Sequence, residues 1–327
     1  ARVGIKQARI NKFDIDWDGY IPPCPKFLGT KTFEDYNLET VRSYIDWTPF
    51  FATWELKGRY PAILENERYG KAARDLFRDA EKMLDLIIKE KWVRAQVTFG
   101  FWPAASHVDD IVLYTHEDRK TPLATLHTLR QQIAKSEGKP NYALSDFIAP
   151  FEHPKPDYLG GFCVTAGLGE DKQAEKFARA NDDYSAILFK ALCDRLAEGL
   201  AEHMHERVRR EFWGYETKNR LTTDGLIAEG YAGIRPAPGY PAQPDHTEKK
   251  TLFKLLGGAE KTGVHLTESY AMQPASSVSG LYFSHPKSLY FGVGKIEKDQ
   301  VEDYAKRKGM SVEEAEKWLA PILNYAP

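Results

Sequence analysis

The chain has 327 residues, 42% of them hydrophobic and 28% charged, with a mean hydropathy of −0.51. That is ample apolar material for a core, as one large domain or two small ones at about 150 residues each. Lys+Arg 45 against Asp+Glu 47 leaves a net charge of −2, which excludes the distinctly basic balance of a general nucleic-acid binder.

No apolar run approaches the ~20 residues of a membrane span, and the opening ARVGIKQARI lacks the apolar core of a signal peptide. Cys24, Cys163 and Cys193 are far apart and odd in number. They give neither a disulfide framework nor a cysteine zinc cluster, so a cytoplasmic protein is expected. The first residue is Ala1 rather than Met, which raises the expectation of a module cut from a longer chain.

Residues 1–35 are rich in proline and aromatics (Trp17, Tyr20, Pro22, Pro23, Pro25) and read as an extended arm or linker laid over the domain. A short helix is expected over Asn37–Ile45. Pro49 biases Thr48 away from helical angles, so Asp46–Phe51 reads as a turn. Tyr69–Lys91 is helical, with Ala73, Phe77, Ala80, Leu84, Ile87 and Ile88 at the spacing of a buried stripe. Val93–Pro103 and Asp110–Tyr114 form a hairpin across a polar turn. Pro122–Lys135 reads as helix and Asp157–Gly167 as a buried strand. Asp183–Trp213 is the longest helix, with Leu188, Leu192, Leu196, Leu200, Met204, Val208 and Phe212 at i+4 steps along a slanted buried ridge. Weak strands are expected over Val264–Tyr270, Val278–Ser284 and Tyr290–Ile296. Two short helices close the chain, with Asp299…Glu302 and Ser311…Glu314 at capping-box spacing. This mixture implies an α+β fold whose strands pair mostly antiparallel.

Arg235 to Pro244 (RPAPGYPAQP) holds four prolines and a glycine in ten residues. Such a segment is a rigid, extended wall with backbone groups free to grip a small polar ligand. Arg235 offers a planar fork for a carboxylate or phosphate, and Tyr240 a ring face and a hydroxyl. Three readings compete on these residues alone: a surface crossing, a ligand-binding wall, and an SH3 ligand through Arg235, Pro238 and Pro241.

GIRPAPGYPAQPDHTEK at Gly233–Lys249 closely resembles the S-adenosylmethionine-binding signature of the activation domain of cobalamin-dependent methionine synthase. Further stretches agree in order: YIDWTPFF at Tyr44–Phe51, LSDFIAP at Leu144–Pro150, DRLAE at Asp194–Glu198, LTES at Leu266–Ser269, SGLYFSHP at Ser279–Pro286, DQVEDYAKRKG at Asp299–Gly309 and the closing SVEEAEKWLAPILNY. The resemblance covers nearly the whole chain and favours the ligand wall over the other two readings.

It implies a single C-shaped α+β domain over 1–327, with a central, mostly antiparallel twisted sheet flanked by helices. It also implies a repair function. Such a domain binds S-adenosylmethionine and presents its methyl to oxidised, inactive cobalamin held by a neighbouring domain of the same chain. An electron arrives from flavodoxin or a flavoprotein reductase. The full-length enzyme is a methyltransferase that makes methionine from homocysteine; the isolated domain is not expected to do so. The work of this domain is binding and orientation, with no catalytic acid or base.

The resemblance assigns cofactor-binding roles residue by residue. Arg235 matches the motif arginine and pairs with the ligand carboxylate; Ala237 matches a backbone contact, and Gly239 and Tyr240 belong to the same motif. Asp46 matches a binding aspartate suited to the ammonium or the ribose hydroxyls. Tyr290 and Phe291 match an aromatic pair, with Phe291 standing where relatives often carry Tyr. Glu198 and Glu229 match acidic positions near the site, against the plain reading of solvated glutamates. His246 follows the motif and is a further lining candidate.

Other features have bland readings. His203-x-His205-Glu206 cannot chelate from one helix face, because residues two apart diverge. His107, Asp109 and Asp110 occupy a hairpin turn. Arg207, Arg209 and Arg210 read as a solvated helix end suited to the dipole, with a docking patch for an acidic flavodoxin as the rival reading. Gly292-Val-Gly294 is only a fragment of a nucleotide-binding loop, and none of the nine histidines sits in a DxHxxG cobalamin-ligating pattern. The alternative function is a free-standing S-adenosylmethionine sensor without methyl transfer.

Overall fold

The computed structural model describes all 327 residues. The arm contains helix α1 (Ile5–Ile10) and strand β1 (Gly29–Phe33), followed by helices α2 (Leu38–Arg42), α3 (Thr48–Thr53) and α4 (Gly70–Lys89). Strands β2 (Arg94–His107), β3 (Asp110–Tyr114), β4 (Pro122–His127) and β5 (Asp157–Leu168) come next. Helices α5 (Glu170–Arg179), α6 (Asp183–Arg207), α7 (Thr223–Ile227), α8 (Glu248–Leu255) and α9 (Gly258–Thr262) precede the small strands β6 (His265–Leu266) and β7 (Met272–Gln273). Strand β8 (Ser277–Tyr282) and helices α10 (Lys298–Lys308) and α11 (Val312–Leu319) complete the chain.

The central sheet runs β4-β3-β2-β5-β8 and is antiparallel throughout; β1 shares with β3 the edge of β2 that faces away from β5. Alternation on the strands builds two cores. Val97, Phe99 and Phe101 of β2 and Phe162 and Val164 of β5 pack against α4 and α6. Trp102, Ala104, Leu159 and Cys163 face the other way, onto Leu252 of α8. The whole i+4 ridge of α6 is buried, and a π-helical turn carries it on through Val208–Phe212.

Several elements differ from the sequence reading, each for a physical reason. Pro49 does not break the 46–51 stretch: it sits in the first turn of α3, where its missing N–H is no loss. Pro122–Lys135 is edge strand followed by extended chain. Its apolar spacing mimics a helix, but Arg130, Gln131 and Gln132 are held extended by buried hydrogen bonds to Asp109, Asp146, Gly292 and Asp299. Tyr290–Ile296 is not a strand: Val293 and Ile296 are buried together with Val301 and Leu319, and their N–H groups donate to the Pro241 and Ile322 carbonyls at 2.8 Å each instead of to a neighbouring strand. Of Val264–Tyr270 only the two residues of β6 pair. Ser311 caps α11 through the Glu314 N–H (3.1 Å), whereas α10 begins after Glu297. Asp299 instead accepts the Ile5 N–H at 2.7 Å, tying down α1. The first 35 residues are therefore not uniformly extended; Trp17 and Tyr20 pack on His285 at 5.0 and 4.8 Å between ring centroids.

Candidate functional site

A cleft of about 430 Å³ opens where α6, the Tyr44–Pro49 stretch, the α7 segment and the proline-rich wall converge. It collects Asp46, Glu198, Glu229, Arg235 and Tyr290, five positions separated by up to 244 residues in sequence (290 − 46). Tyr44, Arg195, Glu202 and Tyr231 join them.

The wall is fixed at its start by the sheet. Ile234 bonds reciprocally with Phe283, and the Leu281 N–H donates to the Pro236 carbonyl at 2.9 Å. These backbone groups are thus committed to a ragged extension of β8 rather than left free. Beyond Ala237 the chain turns: the Tyr240 N–H donates to the Ala237 carbonyl at 3.1 Å and the Gly239 N–H to Gln243 at 2.7 Å. Gly239 has φ +93°, and a Cβ there would stand 2.2 Å from the His246 ring. Only glycine fits, both for its angle and for that ring.

Arg235 is held from three sides. Its backbone N–H donates to the Tyr290 hydroxyl at 2.9 Å, which lies 3.2 Å from the Tyr231 hydroxyl. Its Nη2 donates to Glu202 Oε2 at 2.6 Å and its Nη1 to His205 Nδ1 at 3.1 Å. A guanidinium has five N–H groups, so three remain for a ligand. Burial disfavours the charge, but Glu202 and then Tyr231 outweigh it and keep the arginine firmly protonated. Burial, followed by Arg209 and Arg235, pushes His205 well below the usual histidine range. It is neutral, accepts at Nδ1, and stacks on Tyr282 at 5.4 Å and 15°.

Asp46 is half-buried and accepts the Thr48 N–H at 3.2 Å, at the entry of α3. Glu198 and Glu202 are one helical turn apart on α6 and both face the cleft. Glu229 has φ +56° and is exposed at the rim. With Asp46 they make four carboxylates against the cations of Arg195 and Arg235, so the cleft field is negative. The Tyr240 side chain is largely exposed, while partial desolvation of its hydroxyl, then Glu198, raises that group above the usual range. Ala237 and Gly239 are half-buried in the turn beside the cleft. Phe291 does not line the cleft: it stacks on Tyr142 at 5.6 Å and 26°. His246 is exposed behind the Gly239 turn, with Nδ1 accepting from Lys249 Nζ at 3.0 Å.

Sequence reasoning missed Glu202 and weighed His205 only as a metal ligand. The signal was present, since Glu198, Glu202 and His205 stand at i, i+4 and i+7 on one face of α6. The arginines at the end of α6 also need correction. Arg209 is fully buried, over the Tyr231 ring at 4.2 Å and paired with Glu216 at 3.3 Å, so it is neither solvated nor available for docking. His203 is buried against the Tyr36 hydroxyl at 2.7 Å, and Asp109 is buried in an ion pair with Arg130.

The sequence model of the family described as vitamin B12 dependent methionine synthase, activation domain, matches residues 37–309. Among solved structures, the crystal structure of the MetH reactivation domain bound to AdoHcy is similar at a TM-score of 0.97 and 52% identity, covering 99% of each chain. The cleft, the antiparallel sheet behind it and these two similarities lead to one assignment: the chain belongs to the activation domains of vitamin B12-dependent methionine synthase.

Proposed function

We propose that the cleft binds S-adenosylmethionine and that the domain presents the ligand's methyl to cobalamin held by a neighbouring domain of the methionine synthase chain. The observation that carries this reading is the joining of Arg235, Asp46, Glu198, Glu229 and Tyr290 in one cleft, in a fold whose close relative is bound to AdoHcy. The residues fit the ligand. The uncommitted N–H groups of Arg235 receive the α-carboxylate as a charge-assisted fork. Asp46 accepts from the ammonium or the ribose hydroxyls, and Glu198 and Glu229 favour the sulfonium. Tyr290 keeps the arginine backbone in place. When bound by its own domain, cobalamin supplies the metal that accepts the methyl. Residues of this chain bind, orient and leave the methyl exposed at the cleft mouth. The electron comes from flavodoxin or a flavoprotein reductase, and the restored enzyme returns to making methionine from homocysteine.

Calorimetry on the purified chain should give one-site binding of S-adenosylmethionine; a flat titration at millimolar ligand removes the proposal. S-adenosylhomocysteine lacks the methyl and the charge but keeps the groups gripped by Arg235 and Asp46. It should bind within ~5- to 30-fold of S-adenosylmethionine, about 1–2 kcal/mol. A far larger preference for the sulfonium, with the methyl sealed inside the protein, would make the domain a sensor.

A further inference from the structure

A second groove, of about 590 Å³, lies apart from the cleft, between the free edge of β4 and helix α8. Thr128 N–H bonds to the Asp109 carbonyl at 3.0 Å, and the register opposes His127 to Asp110 and Thr125 to Val112. In an antiparallel ladder the bonded and non-bonded pairs alternate. Leu126 and Thr128 therefore bond to β3, whereas His127 and Thr125 turn their N–H and C=O groups to the open edge. At His127 the edge is capped from within the chain: its N–H donates to Glu248 Oε1 at 3.2 Å and its carbonyl accepts from Gln243 Nε2 at 2.5 Å. No side chain reaches the corresponding groups of Thr125, which lines the groove.

The opposite wall is one face of α8. Thr247, Lys250, Thr251 and Lys254 line it at i, i+3, i+4 and i+7. Lys250 and Lys254 are in no ion pair, while Lys308 at the groove floor is already held by Glu248 at 2.7 Å. Lysines that guard an edge against aggregation sit on the edge strand itself. Here β4 (PLATLH) carries no lysine, and the positive charge comes from a helix facing the edge across a gap.

We propose that this groove receives an extended, acidic polypeptide segment of a protein partner. The segment pairs in the antiparallel sense with β4 at Thr125, and its carboxylates meet Lys250 and Lys254. This is strand addition at a sheet edge, in which main-chain bonds give affinity and charge gives selectivity. The proposal does not depend on what fills the S-adenosylmethionine cleft.

The test uses a labelled peptide of alternating Glu and Val residues, followed by fluorescence anisotropy and by the amide shifts of the protein. Saturable binding is expected, with the largest shift at the Thr125 amide. Lys250→Glu/Lys254→Glu should weaken it by ~10-fold or more, as should high salt. Thr125→Pro removes an N–H that the ladder does not use, so the fold, read by circular dichroism and by ligand titration of the cleft, should survive while peptide binding is lost. A peptide N-methylated on its pairing edge gives the same check without altering the protein. Binding that persists with both the proline variant and the methylated peptide reduces the groove to a diffuse charged surface and overturns strand pairing. Equal binding of a Lys/Val peptide, shifts confined to other regions, or no binding at millimolar peptide overturns the proposal outright.

Discussion

Arg235 illustrates how a single side chain couples the proposed ligand site to the stability of the fold. Its partner Glu202 is largely buried and has its second oxygen, Oε1, unpaired. Arg235→Ala should therefore do two things. Affinity for S-adenosylhomocysteine should fall by ~30- to 150-fold, because a charge-assisted pair of about 2–3 kcal/mol is lost. The ligand-free protein should also lose about 1–3 kcal/mol, because Glu202 is left without its cation. Glu202→Gln in the same background should recover much of the stability and little of the affinity; recovery of both would make the arginine's role structural. His203 gives a residue-scale pH effect. Burial, then Arg207, pushes it down to about 4, against 6.5 in a free chain. As pH falls below 6.5 the unfolded chain takes a proton that the folded one refuses, so stability is lost between pH 6.5 and 4. Tyr36, Tyr44, Arg220, Glu206 and Glu211 also surround this ring. His203→Gln, which cannot titrate, should show a flatter fall of thermal midpoint over that window. Parallel curves for the two proteins would refute this.

At the scale of elements, α6 does most of the positioning. One face carries the ridge from Leu188 to Phe212 into the core, and another carries Glu198 and Glu202 to the cleft, with buried His205 bonding Arg235 at 3.1 Å. Leu196, on the ridge two residues before Glu198, is fully buried in the core that α6 shares with the sheet. Leu196→Ala should cost about 2–5 kcal/mol in chemical denaturation; a loss under 1 kcal/mol would mean that the helix is not anchored by its ridge. This helix was legible because its i+4 row is long and unbroken. The extended chain after β4 was not, because Leu123, Leu126, Leu129 and Ile133 keep helical spacing while the decisive hydrogen bonds of Arg130 and Gln132 come from α10 and from the β2–β3 turn.

Across the whole molecule, the N-terminal helix, the hairpin and helix α10 are joined by one ion network. Arg130 is fully buried and bonds Asp109 at 2.6 Å and Asp146 at 2.8 Å. Asp109 also receives Arg9 at 2.7 Å, and Arg9 reaches Asp303 of α10 at 2.6 Å. Burial disfavours charge on Arg130, but Asp146 and Asp109 more than offset it. Arg130→Met should cost about 3–5 kcal/mol, because two carboxylates stay buried without their cation. Asp146→Asn in that background should restore part of the loss of thermal midpoint. An unchanged midpoint in Arg130→Met would show that these parts hold together by apolar contact alone.

The sequence by itself determined the family, through Gly233–Lys249 and YIDWTPFF, and with it the antiparallel α+β fold. It also determined the periodic elements α4, α6 and β5, whose apolar spacing is local information. Through that resemblance it singled out Asp46, Glu198, Glu229, Arg235 and Tyr290, among other positions, as cofactor-binding. Only the tertiary structure decided that these five share a cleft, that Glu202 and His205 hold the arginine, and that Arg209 is core. Those facts depend on contacts between residues far apart in the chain, where a charged side chain finds its partner only after the sheet has brought α6, the wall and the α3 entry together.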